Sequence, residues 1–206
     1  MSDRCWILAG GPEDELPCIA VPQDAFVLCA DSGLRLAERL KITPALVLGD
    51  FDSLGALPEI PYWQAPVEKD DTDTMLAVRY GLAKGYRDFV ICGAFGGRLD
   101  HTYANIQTLC FLHSMGAEGL LVGARDLVNL QPAGKTVRYA KQEQCSLSVF
   151  ALSAECSGVT LKGVKYPLEQ ATLRWTLPLG VSNEILAQEA EISCESGMLL
   201  IIRSKL

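Results

Sequence analysis

FVICGAFGGRLDHTYANIQTLCFLHSMGAEGLLV, residues 89–122, carries the pattern on which the fold turns. Phe89 to Cys92 is an unbroken apolar run, as suits a strand covered on both faces. A glycine-rich loop follows. From His101 to Met115 the apolar residues Ala104, Ile106, Leu109, Phe111 and Leu112 return at helical intervals until Gly116, a residue type that often stands just past a helix end. Leu120 to Val122 then forms a second apolar run. Strands alternating with helices in this way imply a mainly parallel sheet with helices on both sides.

The rhythm extends back to the start of the chain. Cys5 to Ala9, Phe26 to Ala30 and Ala45 to Leu48 are further candidate strands, and Thr72 to Lys84, with Met75, Leu76, Val78 and Leu82 at mixed spacings, is a second helix stopped by Gly85. Beyond about residue 132 the pattern changes to short runs: Ser146 to Ala151, Gly158 to Leu161, Ala171 to Leu177, Ala190 to Cys194 and Met198 to Ile202. Gly163, Pro178, Gly180, Asn183 and Gly197 mark the turns between them. The expected fold is α/β, with an N-terminal mainly parallel sheet over residues 1–132 and a smaller antiparallel β domain over 133–206. The boundary is expected between Gln131 and Gly134.

The 206 residues are 49% hydrophobic and carry a formal net charge of −7. A chain of this size buries about 70% of its unfolded surface, so neither disulfides nor metals are needed to hold a core. The acidic balance and the lack of a basic cluster argue against a nucleic-acid partner. Eight cysteines, at positions 5, 18, 29, 92, 110, 145, 156 and 194 and without a CxxC pair, read as scattered buried thiols in a reducing compartment. The apolar run Cys5 to Ala9 ends in glycines and acids, unlike a signal peptide, and Leu199 to Ile202 is far short of the roughly 18 residues of a membrane span. The expectation is a soluble, cytoplasmic protein.

The chemistry is concentrated in the acids. Of twelve aspartates, eight lie between residues 31 and 100, and seven of those sit in four short motifs: ADSG (Ala30–Gly33), GDFDS (Gly49–Ser53), KDDTD (Lys69–Asp73) and GGRLDH (Gly96–His101). Each stands at an expected strand end or helix start, where ligands bind in open parallel sheets. In an extended GDFDS, Asp50 and Asp52 share one side and Phe51 takes the other. Carboxylates about 6.5 Å apart repel by roughly 2 to 3 kcal/mol at an effective dielectric near 20, a repulsion that a cation between them removes. Mg²⁺ suits such oxygen donors. The alternative is an Asx-turn in which Asp and Ser bond the local backbone.

In KDDTD, Thr72 or Asp73 is positioned to cap the helix, whose first amides suit anionic oxygen, and capping accounts for one or two of the acids. In GGRLDH, paired glycines admit a close ligand, Arg98 offers a planar fork of donors to phosphate, and Asp100 returns a carboxylate to the rim. His101 reads as an N-terminal helix residue. Neither a Walker A loop nor GxGxxG occurs. Acids alternating with Lys69, Arg98 and hydroxyls are what a Mg²⁺-bound polyphosphate requires.

In this order these motifs resemble those of the thiamin pyrophosphokinase family, also called thiamin diphosphokinase. GVKYPL (Gly163–Leu168), GVSNE (Gly180–Glu184) and the last strand, from Gly197, resemble its C-terminal domain, so the likeness covers essentially the whole chain. The resemblance implies an α/β catalytic domain followed by a β-sandwich-like thiamin-binding domain. It also implies a homodimer in which the β surface of one subunit faces the catalytic half of the other. The implied reaction transfers the diphosphate of ATP to the hydroxyl of thiamin, giving thiamin diphosphate and AMP. Asp50, Asp52, Asp73 and Asp100 would surround Mg²⁺ and the triphosphate, and Lys69, Thr72, Thr74 and Arg98 would line the phosphates. Asp31, Asn105, Ser182 and Asn183 would lie near thiamin, with Tyr166 as an aromatic wall. Arg98 would stabilise the transferred group, with Asp73 or Asp100 as proton acceptor. The chain departs from the family at Ser32, often glycine there, and at Tyr166, tryptophan in some members.

Two other readings stay open on the residues alone. Clustered aspartates also serve metal-dependent phosphohydrolases, and a non-catalytic thiamin or nucleotide sensor would keep the same acids.

Overall fold

The first part of the chain winds strand and helix alternately: β1 (Arg4–Leu8), β2 (Phe26–Ala30), α1 (Gly33–Leu40), β3 (Leu46–Gly49), β4 (Tyr62–Gln64), α2 (Asp73–Ala83), β5 (Asp88–Cys92), α3 (Leu99–Ser114) and β6 (Glu118–Val122). The structure is a computed structural model that describes residues 3–12, 16–51, 58–66 and 70–206. These strands pair in parallel in the order β6-β5-β1-β2-β3-β4. The chain leaves β1 toward β2, β3 and β4 on one side and returns to β5 and β6 on the other. The direction of winding therefore reverses between β1 and β5, the place where open α/β sheets bind ligands. The strand interiors are sealed: Ile7, Leu8, Leu28, Leu48, Phe89 and Ile91 are all essentially inaccessible.

The helices bury a different stripe from the one their large apolar residues suggest. α2 turns Thr74, Ala77, Val78 and Gly81 inward, and Met75, Leu76 and Leu82 are only part-buried. The reason is close approach: a Cβ on Gly81 would stand 2.6 Å from Phe89 Cε1, so α2 lies nearly on the sheet and only small side chains fit beneath it. In α3 the inner face is Asn105, Thr108, Leu109 and Leu112, an i, i+3, i+4, i+7 set. Its two polar members are satisfied, Asn105 Nδ2 donating to Ala94 O at 2.8 Å and Thr108 Oγ1 to Ala104 O at 3.0 Å. Gly85 closes α2 at φ +95, where the Tyr86 amide reaches back to Gly81 O at 3.1 Å.

The chain divides between Ala124 and Arg125, not at 132 as the turn residues suggest. The second unit begins with β7 (Asp126–Pro132) and continues with β8 (Thr136–Ala140), β9 (Cys145–Ala151), β10 (Glu155–Lys162), β11 (Leu168–Arg174), β12 (Gly180–Asn183), β13 (Glu189–Ser193) and β14 (Met198–Lys205). β7 belongs here because it pairs antiparallel with β14 over seven residues. Two antiparallel layers result, β12-β9-β14-β7 and β11-β10-β13-β8. One apolar core joins them, with Leu147, Val149, Leu199 and Ile201 from the first layer and Val159, Leu161, Leu173 and Ile192 from the second. Gly180 and Asn183 lie in a short strand and not in a turn. Among the described residues no helix is long and apolar enough to cross a membrane.

Candidate active site

Three loops meet at the carboxyl end of the first unit's sheet, following β1, β2 and β5, and they meet because glycine lets them. A Cβ on Gly33 would stand 1.9 Å from Leu8 O, and one on Gly11 2.7 Å from Gly93 O. Between these loops lies a cleft of about 530 Å³. It draws residues from all four acidic motifs: Asp31 and Ser32, Asp50, Thr72 to Thr74, and Gly96 to Arg98. Gly10, Gly11, Gly93, His101 and Asn105 complete much of the remaining wall.

Each side chain has a local cause for its position. Asp31 is buried and left-handed (φ +45), a conformation that aspartate tolerates better than most residues, and its amide donates to Leu48 O at 2.7 Å. Gly49 fits closely against it: a Cβ there would lie 3.0 Å from Asp31 Cβ. Asp50 follows directly from β3. Extended geometry stops there, because Phe51 is left-handed (φ +64) and buried, its ring edge-on to Tyr62 at 5.5 Å. A φ of that sign in a bulky residue is uncommon. Asp52 and Lys69 lie outside the described residues.

KDDTD resolves into separate tasks. Thr72 caps α2, accepting from the Met75 amide at 3.2 Å, and also lines the cleft. Asp73 and the buried Thr74 open the helix on the cleft side. Asp71 turns away and binds Arg79 Nε at 2.7 Å. Arg98 lies on the cleft wall with its fork on Asp100, Nε to Oδ1 at 3.1 Å and Nη2 to Oδ2 at 2.5 Å. Asp100 itself is not a wall residue; its Oδ1 also accepts from the His101 amide at 2.9 Å. The Arg98 hydrogen bond holds this exposed carboxyl below the ordinary aspartate range.

Asn105 reaches the cleft from α3. The candidates in the second unit have their own surroundings. Asn183 is buried, and its amide is spent on the main chain: Nδ2 donates to Tyr166 O at 2.8 Å, and Oδ1 accepts from the amides of Tyr166 at 3.0 Å and Glu184 at 2.9 Å. These bonds to the main chain leave one Nδ2 hydrogen of Asn183 over. Its clamp presents Tyr166, a residue 61% exposed, with Lys165 Nζ over its ring 5.9 Å from the centroid. Ser182 is left-handed (φ +57) and exposed, its amide donating to Ser148 Oγ at 3.0 Å.

Of the wall residues, Gly10 and Gly11 carry no role in the sequence analysis, and Ser32 and His101 carry none beyond their places in ADSG and GGRLDH. The Gly10–Gly11 pair after the first strand is the signal that was available for the glycines, since it repeats the Gly96–Gly97 pattern. His101 carries no comparable signal.

Oxygen donors and close-approach glycines on the rim of a parallel sheet, at its reversal point, define a phosphate-handling α/β protein. The match to known proteins is narrower. Residues 20–118 match the family model for the thiamin pyrophosphokinase catalytic domain and residues 135–199 that for its vitamin B1 binding domain, and the chain belongs to the thiamin pyrophosphokinase family. It is 30% identical over 209 residues to the thiamine pyrophosphokinase of Bacillus subtilis (strain 168), across 96% of this chain and 97% of that one. The crystal structure of Bacillus subtilis thiamine pyrophosphokinase superposes with a TM-score of 0.89 at 29% identity, covering 98% of this chain and 99% of its own. That of a thiamin pyrophosphokinase family protein from Enterococcus faecalis gives 0.85 at 28% identity, again covering 98% and 99%.

Proposed function

We propose that this protein is a thiamin diphosphokinase that transfers the diphosphate of ATP to thiamin, releasing AMP. The observation that carries the reading is the cleft, where residues from four separate acidic motifs share one wall with five glycines. ATP carries about four negative charges, so a wall of acids accepts it only with a cation between. The donor set fits a hard ion. Asp31, Asp50 and Asp73 offer it carboxylate oxygens. That suits Mg²⁺, which keeps waters and substrate oxygens in its shell. Asp50 and Asp73, with Asp52, would hold it, and it would offset the charge of the triphosphate.

The chain's own groups do the rest. Arg98 trades Asp100 for phosphate oxygens, and the hydroxyls of Thr72 and Thr74 donate to the same group, with Lys69 joining them. Thiamin is placed with its hydroxyl in line with the β-phosphorus, held by Asp31 and Asn105, with Tyr166 and Ser182 from a second subunit facing its rings. The hydroxyl oxygen bonds to the β-phosphorus, and the bond from that phosphorus to the bridging oxygen breaks. AMP leaves with the electron pair, and the hydroxyl proton passes to Asp73 or Asp100. Positioning and fixed charge supply most of the acceleration. The eight cysteines are free thiols, which suits a reducing, cytoplasmic setting.

Incubation with ATP, Mg²⁺ and thiamin tests the reading: AMP and thiamin diphosphate are expected in equal amounts. Phosphate release without thiamin would make the protein a phosphohydrolase, and tight binding without turnover would make it a sensor.

A further inference from the structure

Ser32 stands at the N-cap of α1 with φ −60 and ψ −7, and its side chain makes no capping hydrogen bond. A serine at a helix start usually turns its oxygen onto the second or third amide, a bond that contributes about 1 kcal/mol. Here the main chain has taken those amides, Leu34 N donating to Asp31 O at 3.2 Å and Arg35 N to Ser32 O at 3.0 Å. The hydroxyl lies instead over Gly10, so near that a Cβ on Gly10 would be 2.0 Å from Ser32 Oγ. Both residues line the cleft.

Gly10 is thus the seat of the Ser32 hydroxyl, and Gly10 and Gly11 offer only main chain beside it, leaving room for a bulky anion to approach. The first turn of α1 holds no acidic residue, so the helix end favours an anionic oxygen over a cation. Asp31 is the one acid adjacent along the chain, and for that reason the cationic substrate is scored separately in the test.

We propose that Ser32 sets nucleotide affinity: its hydroxyl, seated by Gly10, donates to a phosphate oxygen of ATP. This rests on reading the cleft as the ATP site. The test is calorimetric titration of the full-length protein with α,β-methylene-ATP and Mg²⁺, and separately with thiamin. Ser32→Ala should weaken the nucleotide analogue about tenfold, as loss of one hydrogen bond to a charged group does, with thiamin affinity unchanged. Gly10→Ala, whose methyl displaces the hydroxyl, should weaken the analogue similarly in the parent and add little in the Ser32→Ala background. Unchanged analogue affinity in Ser32→Ala, a loss confined to thiamin, or fully additive losses in the double variant would each overturn the assignment. If the parent binds the analogue and forms thiamin diphosphate while Ser32→Ala is indifferent, only the Ser32 assignment falls. A parent that binds no analogue removes the ATP site and this inference together.

Discussion

Arg98 and Asp100 hold each other across two residues while most of both side chains stays in solvent. Exposed pairs of this kind contribute little to stability, and under the proposed function the fork is exchanged for phosphate. The pH dependence follows from the sign of the shift. Asp100 titrates below its ordinary value of 3.8, chiefly through the Arg98 hydrogen bond. A depressed carboxyl stabilises the fold above its unfolded pKa and loses that contribution as pH falls through its folded pKa. The pair therefore persists from neutrality down to about pH 4 and dissolves only in stronger acid. Arg98→Gln should leave the melting temperature at pH 7 nearly unchanged and lower kcat/KM for ATP about tenfold or more. A clear fall in melting temperature with normal kinetics would make the pair structural. For Asp50→Asn or Asp73→Asn the expectation is a loss of turnover of about a hundredfold or more with near-parental melting, read by AMP formation. Near-normal turnover would remove that acid from the metal assignment. That Asp50 and Asp73 gather on one cleft was legible because acids just after a strand or at a helix start stand out from the apolar runs beside them. Ser32 and His101 were not, since their positions depend on loops that converge from distant parts of the chain.

At the scale of elements, α2 shows that side-chain size, beside hydrophobicity, selects the inner face. Large residues draw attention by hydrophobicity, but a helix lying close to a sheet needs small ones. Gly81→Ala makes this measurable. In an exposed helix the change would stabilise by about 1 kcal/mol. Here the new methyl would stand 2.6 Å from the ring of Phe89 and 3.1 Å from Cys5 Sγ. Overpacking of that kind costs roughly 1 to 3 kcal/mol and outweighs the helical gain, so the expected outcome is a lower melting temperature. A raised one would mean that α2 shifts freely on the sheet. Thr72→Ala should cost about 1 kcal/mol through loss of the cap on Met75, with a further loss of ATP affinity because Thr72 also lines the cleft. The sequence reading captured β2 and β5 because their apolar runs are continuous. It passed over α1, which buries only Gly33 and Ala37, and β4, whose three residues are all exposed. β12 looked like a turn because glycine at 180 is demanded by packing: a Cβ there would lie 2.1 Å from Val149 O.

At the scale of the whole molecule, the second unit exposes a series of large apolar side chains. Tyr166, Trp175, Leu177, Leu179, Val181 and Leu186, all exposed, fall within one segment of β11, β12 and their flanks. An exposed apolar patch marks an interaction site, and these residues share one stretch of the chain. The occupant that fits the proposed chemistry is a second copy. Tyr166 and Ser182 belong to the same segment, and the family resemblance sets that surface against the catalytic half of the neighbouring subunit. Light scattering at micromolar concentration should accordingly report twice the mass of one chain. Replacing Trp175 and Leu179 together by Glu places two charges on the surface and should return the mass to that of one chain, with thiamin turnover falling in step. ATP affinity should hold, because the residues lining the ATP cleft belong to the first unit. A parent protein that runs as a single chain with full turnover would show that the exposed strip serves another partner and that one chain completes the site alone.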